Sequence, residues 1–139
     1  MLIGQSRHTM DVKGRVIIPQ RFREDLGASF VITRGLDGCL FLYSMEEWDK
    51  LSSRIRSAPL GEARNMQRFF FANAEEAVPD AQGRIIIPAN LRKLANLTKD
   101  VVIVGAESRA ELWDAASWDG FEGTMGDKDV LAVMEKSGV

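Results

Sequence analysis

Residues 11–19 read DVKGRVIIP, and residues 80–88 read DAQGRIIIP. The two phrases stand 69 positions apart and keep Asp, Gly, Arg and Pro in register. A duplicated unit dictates the whole architecture. Asp11, Gly14, Arg15, Pro19, Phe22 and Arg23 meet Asp80, Gly83, Arg84, Pro88, Leu91 and Arg92. A one-residue insertion then moves the offset to 70. FVITRG (30–35) meets DVVIVG (100–105), and LYSMEEWD (42–49) meets LWDAASWD (112–119). Roughly forty residues occur twice, which chance does not explain.

Each copy has a local reading. Asp-x-x-Gly is a turn: the Asp carboxylate can accept from nearby backbone N–H groups, and Gly accepts a positive φ. Such a turn predicts a bulged hairpin joining strands at about 5–10 and 15–18, with Arg15 projecting from its end. Val16-Ile17-Ile18 is β-branched and apolar, hence a strand. Pro19 ends that strand and opens a helix over 20–26, which Gly27 stops. Phe22 and Leu26 share one face of it. FVIT and CLFLY then flank RGLDG, whose Asp37-Gly38 predicts a second hairpin. Ser44-x-x-Glu47 reads as a capping box, and Trp48, Leu51 and Ile55 lie along one stripe of the helix it starts. Pro59 closes that helix. Residues 60–71 begin as a helix, and their Phe triplet either continues it or starts a strand.

The second copy repeats the order: turn 80–83, strand 84–87, helix 88–95, hairpin 101–113 and a helix from 115. DVLAVMEK in the tail is compatible with a further short helix. The fold class is α+β, mainly β with short helices. One unit is too small to bury its own core, so two copies complete each other. Their strands are expected to close into one barrel-like sheet of approximate twofold symmetry without exposed edges. The expected units are a repeat over 5–51, a connecting helical segment over 52–73, a second repeat over 74–121 and a tail over 122–139.

Composition narrows the function. The hydrophobic fraction of 45% supports a packed interior. No run approaches the ~18 apolar residues of a membrane helix, and MLIGQSRHTM does not read as a secretory signal. Cys39 is the only cysteine, so no internal disulfide forms and a reducing cytoplasm is the expected compartment. His8 is the only histidine, which leaves no His/Cys metal cluster and a Ser-His-Asp triad only through His8. No Walker loop or GxGxxG occurs. Glu46-Glu47 and Glu75-Glu76 read as solvated surface, and Asp11 and Asp80 as turn formers. No catalytic residue, metal, cofactor or small-molecule substrate is expected.

The charge is −2 overall but unevenly spread. Residues 1–70 carry eleven Lys and Arg against eight Asp and Glu, while residues 71–139 carry seven against twelve. Around the first turn lie Arg7, Lys13, Arg15, Arg21 and Arg23. In the second copy Arg7 becomes Glu76, Lys13 becomes Gln82 and Arg21 becomes Asn90, whereas Arg15 and Arg23 persist as Arg84 and Arg92. The scaffold is kept while charge is shed, so the first copy is expected to present the main anion-binding face. DNA suits it: Arg bonds guanine O6 and N7 as a fork, and neighbouring cations hold phosphates. Arg15 is expected at base edges or phosphates, Lys13, Arg7, Arg21 and Arg23 at phosphates, with Arg84 as the second-copy counterpart. Asp11, Gly14, Asp80 and Gly83 form the turns.

DVKGRVIIPQRFREDLG, DGCLFLYSMEEW, DAQGRIIIPANLRKLANLTKDVVIVG and ELWD closely resemble the MraZ family, whose members carry two AbrB-like (SpoVT-AbrB) domains. The resemblance covers about residues 1–120. It implies a swapped-hairpin AbrB barrel in which the two halves of one chain form a pseudo-dimer. It also implies a ring-shaped homo-oligomer. Finally, it implies a transcriptional regulator of the cytoplasm and nucleoid that binds repeated DNA boxes upstream of the division and cell wall gene cluster. In the family the Arg of the first Asp-x-x-x-Arg motif contacts DNA, which here is Arg15. The alternative is a protein-interaction module of the same fold, as in antitoxins.

Overall fold

A computed structural model describes residues 1–139. The first copy contains β1 (Gln5–Thr9), β2 (Arg15–Ile17), α1 (Gln20–Leu26), β3 (Phe30–Arg34), β4 (Leu40–Ser44) and α2 (Met45–Arg56). Helix α3 (Leu60–Phe70) connects the copies. The second contains β5 (Glu75–Ala77), β6 (Arg84–Ile86), α4 (Ala89–Leu94), β7 (Asp100–Gly105), β8 (Ala110–Asp114) and α5 (Ala115–Thr124). Helix α6 (Asp127–Ser137) ends the chain.

The strands form a six-stranded antiparallel sheet in the order β1-β7-β8-β4-β3-β5 and a separate ribbon of β2 with β6. That order reads the same from either end once copies are exchanged. The first strand of each copy therefore completes the hairpin of the other: β1 pairs with β7, and β5 pairs with β3. A local twofold axis passes between Phe41 and Glu111 in the central β4–β8 pair and between Val16 and Ile85 in the ribbon.

This exchange corrects two expectations. Strands flanking each Asp-x-x-Gly turn do not pair as a hairpin: β1 enters the sheet and β2 leaves for the ribbon. The sheet also stays open, with β1 and β5 at its edges. The physical reason is shared. Val16, Ile18, Ile85 and Ile87 must all be buried, and crossing the ribbon over the sheet buries them at 0–3% exposure. A flat β1–β2 hairpin would leave one face of these residues in water.

The duplicated helices follow their local chemistry. Pro19 and Pro88 sit at φ near −55°, the geometry that precedes a first helical turn, and Phe22, Leu26 and Leu91 turn inward. Burying a side chain such as Phe22 contributes about 1.5–3 kcal/mol. Gly27 ends α1 at φ 94°. Asp37 and Gly38, at φ 68° and 86°, make the tight β3–β4 turn. Ser44 caps α2 by accepting from the Glu47 N–H at 3.2 Å. The reciprocal half of the box does not form; Ser44 is the last residue of β4, opposite Phe30, and the Glu47 carboxylate accepts from Lys50 at 3.3 Å. Phe69 and Phe70 finish α3, which settles the Phe triplet as helix end.

Two apolar clusters lie on opposite faces of the sheet. The larger holds 18 buried residues and fills the space under the ribbon, α1 and α4. The smaller, Cys39, Phe41, Tyr43, Val102, Val104 and Trp113, is covered by Trp48, Leu51, Phe70, Trp118 and Phe121 from α2, α3 and α5. The two faces place the cations as well.

Candidate nucleic-acid interface

Each turn is built by its own aspartate. Asp11 Oδ1 accepts from the backbone N–H groups of Lys13 and Arg15, both at 2.9 Å, and Oδ2 accepts from Arg15 Nε at 2.6 Å. Asp80 repeats this with Gln82 and Arg84 at 3.0 and 2.9 Å, and takes Arg84 Nε at 2.9 Å. Hydrogen bonds from the Arg15 backbone and side chain hold the Asp11 carboxyl below its usual range, and those from Arg84 do the same for Asp80. Gly14 and Gly83 adopt φ 83° and 81°, which lets the chain reverse within these few residues.

The aspartate engages only the Nε edge. The Nη groups of Arg15 make no hydrogen bond within the chain, and a third of the side chain is exposed. Arg84 gives one Nη group a 3.5 Å contact with Gln82 Oε1. Lys13 beside Arg15 is exposed and unpaired, where the second turn has neutral Gln82. Arg84 and Arg15 also line a shallow hollow with Glu75, Glu76 and Asp80. Arg15 and Arg84 thus present oriented guanidinium forks on the outer side of one ribbon, with Lys13 on the first turn only.

The other predicted cations go elsewhere. Arg7 pairs across β1–β7 with Val102, a member of the smaller cluster, so it points away from the ribbon. There it meets Asp119 of α5 at 2.6 Å, which raises the Arg7 pKa and lowers that of Asp119. The structure therefore does not bring Arg7 to the turn; strand alternation over two residues sends it to the opposite face. Arg21 donates to the Gln5 carbonyl at 2.7 Å and lies over Phe22, at the sheet edge. Arg23 donates from Nε to the Ile18 carbonyl at 2.8 Å, and its guanidinium lies across Gly83 of the second turn.

Arg92 is the residue that reasoning by sequence neighbourhood missed. Its guanidinium lies across Gly14, so the second copy supplies the cation beside the first turn. Backbone bonds strengthen the exchange: Ile18 N–H donates to Gly83 O and Ile87 N–H to Gly14 O, both at 2.8 Å. The retained pair Arg23 and Arg92 was the available signal, and twofold exchange of partners explains it.

His8 offers no triad. Its Nε2 lies 2.6 Å from Ser6 Oγ, and no carboxylate holds the other ring nitrogen. No group of three or more His, Cys, Asp or Glu side chains is arranged to hold a metal ion. No helix is long and apolar enough to cross a membrane.

Taken together, the fold and site define an intrachain pseudo-dimer of two β-rich repeats that displays paired Asp–Arg turns on a shared ribbon. A family model described as "MraZ protein, putative antitoxin-like" matches residues 1–69 and again 70–133. The chain is 48% identical to "Transcriptional regulator MraZ" of Halothermothrix orenii across 100% of both proteins. It is 51% identical to the protein of that name from Acetivibrio thermocellus, over 88% of this chain and 87% of the relative. A third, from a Thermoanaerobacter species, is 52% identical over 86% and 85%. The chain belongs to the MraZ family, and the relatives named here are transcriptional regulators.

Proposed function

We propose that the chain regulates transcription by binding double-stranded DNA through the outer face of the β2–β6 ribbon. The carrying observation is the Asp11–Arg15 pair: the carboxylate fixes the guanidinium through Nε and leaves its Nη edge outward and unbonded. A fork oriented in advance loses little side-chain entropy on meeting a guanine edge or two phosphates. Exposed Lys13 adds a phosphate contact at the same turn, and Arg92 behind Gly14 adds positive potential. Arg23 does so at Gly83, and Arg84 contributes less than Arg15 because neutral Gln82 replaces the lysine and engages one Nη group. Arg21 serves as an outlying phosphate contact, and Arg7 has no part at this face. The chain needs no cofactor and performs no catalysis in this role.

One ribbon per chain binds weakly. A ring of identical chains meeting repeated boxes gains affinity through effective concentration, and such boxes upstream of the division and cell wall gene cluster are the proposed target. The protein then works in the cytoplasm at the nucleoid. Salt-titrated binding to the DNA upstream of its own gene tests the proposal, with Arg15→Ala as control. Specific binding that survives Arg15→Ala overturns it.

A second reading, an antitoxin-like protein-interaction module, draws on α6. That helix has no buried residue and exposes Val130, Leu131, Val133 and Met134. Loss of DNA binding on Arg15→Ala, with no effect of removing residues 127–139, decides for the DNA reading.

A further inference from the structure

The outer face of the ribbon is a two-by-two checkerboard. The register sets Ile86 beside Arg15 and Ile17 beside Arg84. Val16 and Ile85 between them point inward at 1% and 3% exposure, so all four neighbours point outward. Ile17 and Ile86 are 46% and 64% exposed and belong to neither apolar cluster. Packing does not require them. Strand propensity alone is satisfied as well by threonine, which leaves a wettable surface.

The occupant that matches this pattern is the DNA major groove. A two-stranded ribbon fits its width, and the two guanidinium forks supply charge of the right sign. Base edges there carry one apolar feature, the C5 methyl of thymine. An isoleucine beside each arginine places a branched apolar tip next to each hydrogen-bonding fork. We infer that Ile17 and Ile86 determine specificity by packing against thymine methyl groups beside the positions held by Arg15 and Arg84. This rests on the DNA-binding reading above and deepens it.

The test replaces thymine by deoxyuracil, which deletes the methyl and nothing else. A duplex selected by the protein from a random-sequence pool is substituted one thymine at a time, and binding is measured for the full chain. One or two substitutions are expected to weaken binding about fourfold each, the worth of one buried methyl group. Ile17→Ser and Ile86→Ser should each abolish the sensitivity at one such position. Ile17→Val and Ile86→Val, which keep a branched apolar tip, should retain it. Thermal unfolding of each variant shows whether the ribbon is intact, and Ile17→Thr and Ile86→Thr, which keep the strand propensity and should lower the sensitivity, carry the test where serine disturbs it. Binding indifferent to every deoxyuracil overturns the inference, as does sensitivity that persists in the serine variants. A change in solution mass on Ile→Ser, without loss of the thymine preference, assigns the face to self-association and also overturns it. Absence of any specific duplex, or binding indifferent to Arg15→Ala, is a distinct result that sinks the DNA reading itself.

Discussion

The Arg92 guanidinium lies across Gly14, so close that a Cβ there would stand 2.8 Å from Arg92 Nη1. Arg23 stands in the same relation to Gly83, whose Cβ would meet its Cζ at 2.9 Å. Each turn is thus clamped by an arginine from the opposite copy. Gly14→Ala should destabilise the protein by about 1–2 kcal/mol from its positive φ alone. That corresponds to a melting point lower by about 3–6 °C, readable by calorimetry. Gly83→Ala should match it, because both turns share one geometry.

Arg15→Ala should remove specific DNA binding while leaving folding and solution mass intact. Arg84→Ala should weaken binding less, and equal losses would refute the asymmetry between the turns. Lys13→Ala should lower affinity on all sequences alike and reduce the salt slope by about one. Filter binding across a salt series measures all three.

Exchange of first strands predicts mutual dependence of the halves. A fragment of residues 1–73 lacks the β7 partner of β1, and a fragment of 74–139 lacks the β3 partner of β5. Each alone should show little cooperative unfolding by circular dichroism. Mixed, they should restore a cooperative transition.

Acid should act on the turns in one direction. The Asp11 and Asp80 carboxyls titrate below their usual range, so their stabilisation is complete above the unfolded-state value, about pH 4. It is lost as pH falls through the depressed native values. Asp11→Asn with Asp80→Asn should flatten this acid limb in pH-dependent thermal unfolding. His8 acts higher: burial, helped by Arg21, lowers its pKa, so stability should decline as pH drops below about 6.5. His8→Gln should remove that second decline.

Removing α6 should leave stability within about 0.5 kcal/mol of the intact chain, because none of its residues is buried. Urea denaturation measures the difference. A larger loss would mean that the helix packs on something in solution.

The turns, the helix starts and stops and the duplication are written in the order of the residues. Asp11 bonds Arg15 four residues away, Pro19 starts α1 and Gly27 stops it, so the determinants lie within a turn or two of where they act. Family membership was legible for a related reason, since the Asp-x-x-x-Arg turn is local and occurs twice, 69 residues apart. Which elements meet is settled instead by packing between distant parts of the chain. Whether β1 joins β2 or β7, whether Arg23 lies by its own turn or over Gly83, and which face carries Arg7 all depend on burial summed over distant residues. Sheltering four ribbon side chains under a crossed sheet wins over pairing adjacent strands, and no local pattern of residues records that comparison.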